Sequence, residues 1–176
     1  MPNIFRILKE DWRSNRGAGL VSQLFLINYR LGRIALQKKE KYGTPILLGY
    51  LPLLLNARFL SLFLGCSIPF STKLGRRIRF QHGLQGIFIS GLASVGDDCL
   101  ILHQVTIGSN IGSRSGRPAA PRIGNRIFIG VGAKIIGDLD VGDDAMIGAQ
   151  ALVIRSVPSG ARCHAPSAEI RMGLEA

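Results

Sequence analysis

Two of the three histidines in this 176-residue chain, His82 and His103, are the side chains best suited to acid–base chemistry. A neutral imidazole titrates near working pH and can take the proton of a hydroxyl that attacks an acyl group. What would bring the two together is a repeat. Aliphatic residues recur every six positions at Ile89, Val95, Ile101 and Ile107, and again at Ile123, Ile129, Ile135, Val141, Ile147 and Val153. Extended backward, the series reaches Ile68, Leu74 and Phe80. His82 lies two places after Phe80, and His103 two places after Ile101. Three hexads make one eighteen-residue coil, and a three-residue insertion within Gln81–Gly86 supplies the remainder of the step. Both histidines are therefore expected on one face, in adjacent coils. For His82 the alternative role is that of a turn residue capping a corner. His103 is open between a structural and a catalytic role.

The elements that must position them follow from the same period. Six residues fit neither a helix nor a flat sheet and mark hexapeptide β-helix repeats, each unit a short strand and a turn. Glycine follows the aliphatic residue at Gly96, Gly108, Gly124, Gly130, Gly142 and Gly148, and is read as the corner residue that adopts positive φ. Slim residues at the fifth position, Ala93, Cys99, Val105, Ala133, Ala145 and Ala151, suit a narrow interior. The expected fold class is mainly β, a left-handed parallel β-helix with an N-terminal α-helical segment. A second break, between Ile107 and Ile123, loops out about ten residues within Ser109–Pro121. Insertions in a solenoid tend to build its binding face, because they leave the stacked core untouched.

Residues 1–79 hold fourteen Lys and Arg against Glu10, Asp11 and Glu40, whereas residues 80–176 hold eight of each sign. A basic block of this kind fits a membrane surface, a phosphorylated substrate or nucleic acid. Nucleic acid is the weakest of the three, since the cations alternate with aliphatic runs rather than base-stacking aromatics. Residues 20–36 read as an amphipathic helix ending before Gly43. Residues 45–64 are nearly all apolar, but Pro52, Asn56 and Arg58 favour a helix packed on protein over one that spans a bilayer. Three scattered cysteines, Cys66, Cys99 and Cys163, support neither a disulfide framework nor a zinc site and suit a reducing cytoplasm. No signal peptide is visible, and His164 lies beyond the repeats, so no metal site is expected. The organisation reads as a helical segment (1–65), a β-helix (66–158) with a long loop (109–121), and a tail (159–176).

From about Ser67 to Ile170 the chain resembles the serine acetyltransferase group of left-handed β-helix, hexapeptide-repeat acyltransferases. The likeness is carried by Gln81-His82-Gly83, Val105-Thr106-Ile107-Gly108, Pro121-Arg122-Ile123-Gly124 and the run from Gly130 to Gly137, with Val157-Pro158 closing the repeats. Within that group it is most similar to the exopolysaccharide and colanic acid O-acetyltransferases, whose helical segment resembles residues 8–65. The resemblance implies a homotrimer with sites between subunits, acetyl-CoA as co-substrate, and His82 as general base. It also implies oxyanion and cofactor contacts from the backbone around Gly108 and Ser109, and from Gly130, Val131, Ala149 and Arg155.

The departures bear on the acceptor. Ser67, Gln81, Ala119 and Ala120 stand where the serine enzymes carry an aspartate orienting the base, a second aspartate, an arginine for the substrate carboxylate and a second histidine. Ser67 and Gln81 then become acceptor-side residues, and Arg114 or Arg117 in the loop could replace the missing arginine. Without an ionic grip on a carboxylate, charge-assisted recognition of serine is lost. The expectation is O-acetylation of a sugar hydroxyl on an exopolysaccharide or lipid-linked oligosaccharide, with peripheral membrane contact through residues 1–79. The alternatives are serine O-acetylation and a non-catalytic trimeric scaffold.

Overall fold

A computed structural model describes residues 4–42, 47–110 and 118–168. The chain opens with helix α1 (Ile4–Ser14), a 3-10 turn (Arg16–Ala18), α2 (Leu20–Tyr42) and α3 (Leu47–Leu64). α2 covers the helix expected over 20–36. α3 runs as one helix through Pro52, and no described helix is long and apolar enough to cross a membrane.

Twelve strands of two or three residues then turn through four coils. The first coil holds β1 (Lys73–Leu74), β2 (Arg79–Phe80) and β3 (Phe88–Ile89), and the second β4 (Ser94–Val95), β5 (Leu100–Ile101) and β6 (Thr106–Gly108). The third holds β7 (Arg122–Ile123), β8 (Phe128–Ile129) and β9 (Lys134–Ile136), and the fourth β10 (Asp140–Val141), β11 (Met146–Ile147) and β12 (Leu152–Val153). A further strand, β13 (Arg162–Cys163), follows Val157-Pro158 and pairs with β11. All strand pairs are parallel and fall into three faces: β1-β4-β7-β10, β2-β5-β8-β11-β13 and β3-β6-β9-β12. The register pairs Phe80 with Ile101, Ile101 with Ile129 and Ile129 with Ile147, so both insertions are absorbed at corners without disturbing the stack.

The six-residue series is the core. Ile101, Ile107, Ile129, Ile135 and Ile147 are fully buried, as are the slim residues Ala93, Cys99, Val105 and Ala133. Each large aliphatic side chain taken fully from water contributes ~1.5–3 kcal/mol. The corners work differently from the expectation. The glycines directly after the core residue are not in the left-handed region; that conformation falls two places later, at Arg77, Asp98, Gln104, Arg126, Asp144 and Gln150 and at Gly83 and Gly132. What demands glycine next to the core residue is the approach of the next coil. A Cβ on Gly96 would stand 2.5 Å from Gly124 O, and one on Gly142 2.5 Å from Ser159 N.

The corner between the first and second faces carries a side-chain ladder. Asp97 accepts from Arg76 N, Asn125 from Asp97 N and Asp143 from Asn125 N, at 2.8, 2.9 and 2.8 Å. Beside it, Arg77 pairs with Asp98 at 2.6 Å and Arg126 with Asp144 at 2.7 Å, at four of the left-handed positions.

The helical segment closes the open end of the prism, where three strand edges would otherwise expose backbone groups. Asn15, buried among the helices, donates to Ile78 O at 2.8 Å and accepts from Phe80 N at 2.8 Å. The Tyr29 hydroxyl donates to Thr72 O at 2.5 Å, and Arg30 donates to Leu74 O at 2.8 Å and to Gly75 O. Arg30 also meets the buried Asp11 carboxylate at 2.7 Å. The third edge is closed by main chain, Ser67 N to Ile87 O and Ile89 N to Ser67 O, both 2.8 Å.

Candidate active site

The corner between the second and third faces carries His82, His103, Val131 and Ala149 at equivalent places in four successive coils. Neighbouring parallel strands lie ~4.8 Å apart, so these residues form one column. The ring centroids of His82 and His103 are 5.5 Å apart, edge to face at 83°. The placement of the two histidines on one face in adjacent coils is thus observed. His82 is exposed, while His103 is half-buried and its Nδ1 has no hydrogen-bond partner among the described residues. A buried nitrogen left unmatched costs ~1–3 kcal/mol, which a bound hydroxyl or amide would recover.

His82 is held from both sides. Behind it, the Asn15 amide fixes the strand residue Phe80. Ahead of it, the insertion folds into two tight turns, Gly83 N to Phe80 O and Ile87 N to Leu84 O, both 3.1 Å, with the Leu84 side chain fully buried. Gln104 N donates to Gln85 O at 2.9 Å, tying the insertion to the coil that carries His103. Gly83 has φ +79°, where a side chain is strained, and a Cβ there would also crowd Ala18 O and Ser22 Oγ, both at 3.2 Å, so this turn favours glycine. Gln81 is exposed beside His82.

The remaining candidates do not join this column. Gly108, Ser109 and Arg155 lie on the corner between the third and first faces, across the width of the third face from the histidines. At ~3.3 Å per residue, that separation is on the order of 15 Å. Gly130 immediately precedes Val131, one place short of the histidine column, and Ser67 pairs with Phe88 at the end of the third face. Arg114 and Arg117 lie outside the described residues. The base of their loop is closed by Asn110 N to Ala119 O at 3.0 Å and Ala119 N to Asn110 Oδ1 at 3.1 Å. Ala120 is buried.

Between the two corners, the third face presents Phe88, Thr106, Lys134 and Leu152 outward, in register. No carboxylate stands in that column. With Leu152 and Ile154 each 64 % exposed and Lys134 and Arg155 exposed beside them, the face pairs apolar surface with cations. Those residues fit the two ends of coenzyme A, a chain with an apolar stretch and phosphates. Lys134, Leu152 and Asn15 were not expected at the site. The first two fall at outward positions of the hexad, where a strand pattern alone cannot tell a solvated residue from a binding one.

Part of the basic block is consumed within the protein. Arg30 is buried against Asp11, Arg33 donates to the carbonyls of Phe70, Ser71 and Thr72, and Arg76 and Arg77 pair with Asp97 and Asp98. As a surface for an anionic partner, the block is smaller than its charge suggests. Burial pushes the Cys66 and Cys99 thiols up to about 11, and neither is a candidate nucleophile.

No family model matches the chain. A serine acetyltransferase of Helicobacter pylori is 38 % identical over 135 residues, which are 77 % of this chain and 72 % of that protein. The serine acetyltransferase of Mycobacterium tuberculosis is 37 % identical over 105 residues, 60 % of this chain and 44 % of the relative. Among solved structures, serine acetyltransferase isoform 3 of Entamoeba histolytica, in complex with cysteine, superposes with a TM-score of 0.75 at 20 % identity. That match covers 98 % of this chain and 62 % of the other, so the chain spans about three fifths of that solved relative. A serine acetyltransferase in complex with CoA gives a TM-score of 0.66 at 26 % identity, covering 82 % and 54 %. The fold is the left-handed β-helix of these proteins. Their names support the broader likeness and not the narrower one to exopolysaccharide O-acetyltransferases.

Proposed function

The chain belongs to the serine acetyltransferase family, and from that premise we propose that it is an acetyl-CoA-dependent O-acetyltransferase, with L-serine, the acceptor its relatives are named for, as the first substrate. The observation that carries the reading is the exposed His82 imidazole, set edge-on to His103 on a corner whose strand and turn are both pinned. His82 takes the acceptor's hydroxyl proton as the oxygen bonds to the thioester carbon. The oxyanion is met by main-chain N–H groups near Gly108 and Ser109. Collapse breaks the carbon–sulfur bond, and the protonated His82 returns its proton to the departing thiolate. Gly130, Val131, Ala149 and Arg155 contact the pantetheine and phosphates in this scheme.

Because the two corners are separated by a whole face, His82 of one copy works with Gly108 and Ser109 of a neighbour. This supports a homotrimer with shared sites. Thiol release from acetyl-CoA with L-serine tests the function. His82→Ala should lower turnover by ~10²–10⁴. Absence of both acetyl-CoA binding and turnover would leave the chain a scaffold.

A second acceptor reading is favoured by Ser67, Gln81, Ala119 and Ala120. None of these side chains can form an ion pair with an amino acid's carboxylate or ammonium group. A neutral hydroxyl, as on a sugar, suits them, and a panel of monosaccharides run beside L-serine decides between the two. Contact with a bilayer, if the acceptor lies there, is peripheral and falls to exposed cations such as Lys9, Arg13 and Arg16.

A further inference from the structure

A cleft of about 790 Å³ runs between α3 and the segment that leads from it into the first coil. Leu54 and Leu62 of α3 form one wall, and Ile68 and Phe88 the other; the polar groups include Arg58 and Ser67. Its volume lies within the ~300–1,000 Å³ of ligand pockets, too small for a protein domain and ample for an alkyl chain.

Two observations say what it holds. Arg58 is exposed, makes no ion pair among the described residues, and is the one charged side chain in the cleft's described lining. An unpaired guanidinium in a mainly apolar cleft is complementary to an apolar chain that carries a phosphate. The cleft is also joined to the histidine corner. Gly65 on its wall accepts from Gly86 N at 3.0 Å, and Gly86 closes the insertion that begins at Gln81-His82.

We propose that this cleft binds the tail of an amphiphilic acceptor: an alkyl chain along Leu54, Leu62, Ile68 and Phe88, a phosphate at Arg58, and the hydroxyl-bearing group directed past Ser67 to His82. The proposal rests on the neutral-acceptor reading and gives it a chemical class.

Calorimetry on the full chain with dodecyl phosphate below its micelle concentration tests it, with dodecyl maltoside and inorganic phosphate as controls. Dodecyl phosphate should bind once per chain. Arg58→Gln should weaken it ~10-fold or more, the scale of one charge-assisted contact, and the exposed pair Leu54→Gln/Leu62→Gln should weaken it at least as much. Equal binding of inorganic phosphate would reduce the site to an ion contact. Equal binding of dodecyl maltoside, unaffected by Arg58→Gln, would reduce it to an apolar surface. A change of particle size on sizing chromatography would mean that the amphiphile displaced a second copy. Any of these, or no binding, overturns the proposal. His82→Ala should keep the binding and lose acetyl transfer. Binding without acetyl transfer to any acceptor in the parent protein would overturn the enzyme reading, and with it the acceptor role of the bound amphiphile, whereas transfer to serine without binding would sink this proposal alone.

Discussion

Replacing Gly130 and Gly108 by alanine should move stability in opposite directions. At Gly130 an added Cβ would stand 2.6 Å from Ala149 N and 2.8 Å from Gly148 C, both main-chain atoms of the next coil. Neither can retreat without stretching the Gly130 N to Ile147 O bond, now 2.8 Å. Overpacking of this kind costs ~1–3 kcal/mol or more. At Gly108 the nearest described atom is Ile136 Cγ1 at 3.5 Å, an ordinary contact, and φ is outside the left-handed region. Alanine there only narrows the unfolded ensemble and should add ~0.4–1 kcal/mol. Urea unfolding at matched protein concentration reads both changes, and in thermal melts each 1 kcal/mol appears as ~2–4 °C. The reasoning fails if Gly130→Ala matches the parent, or if Gly108→Ala loses more than ~1 kcal/mol. With its fold intact, Gly108→Ala then reports on the site. A methyl group placed where main-chain N–H groups meet the thioester should raise the KM for acetyl-CoA, while Gly130→Ala confounds binding with folding.

Asn15→Ala strips Phe80 N and Ile78 O of their partner in a buried setting, so a loss of ~2–4 kcal/mol is expected in urea unfolding, together with lower turnover through the strand that carries His82. Arg30→Met leaves the Asp11 carboxylate buried alone and should cost ~3–5 kcal/mol by the same measurement. Hydrogen bonds from Arg77, Arg122 and Arg126 hold the Asp98, Asp140 and Asp144 carboxyls below their ordinary values. Their contribution to stability is therefore complete above about pH 4 and is lost as the pH falls through the lowered values. Arg126→Gln should raise the midpoint of acid unfolding followed by circular dichroism. With Cys66 and Cys99 pushed up to about 11, a disulfide reagent at neutral pH should titrate Cys163 first and the others only in denaturant.

The β-helix was legible because its packing is local and periodic: each coil repeats the demands of the last, and even the insertions could be counted, which placed His82 against His103. The corner glycines were legible as glycines but not for their reason. Steric approach between coils and left-handed backbone leave the same letter, and here they act two positions apart. The cap was not legible. Asn15, Tyr29 and Arg30 serve partners 43–65 residues away, and nothing periodic links them. For the same reason Arg30, Arg33, Arg76 and Arg77 read as free charge until their carbonyl and carboxylate partners were seen. At the site, hexad counting assigned each candidate to a corner, but the division of the set between two corners becomes evident only when the faces are followed in space.

The cap also gives the molecule a direction of assembly. A parallel strand of two or three residues has no hold of its own and must dock on a finished neighbour. Among the described residues, the helices offer side chains that imitate such a neighbour, which suits them to act as the seed, with each coil the template for the next. Growth is then ordered from the helical end, and amide exchange should slow toward the first coil and quicken toward β13. A lesion at Gly96 would strand every later coil without a template. The same lesion at Gly142 would leave a seeded stub with His82 and His103 still in place.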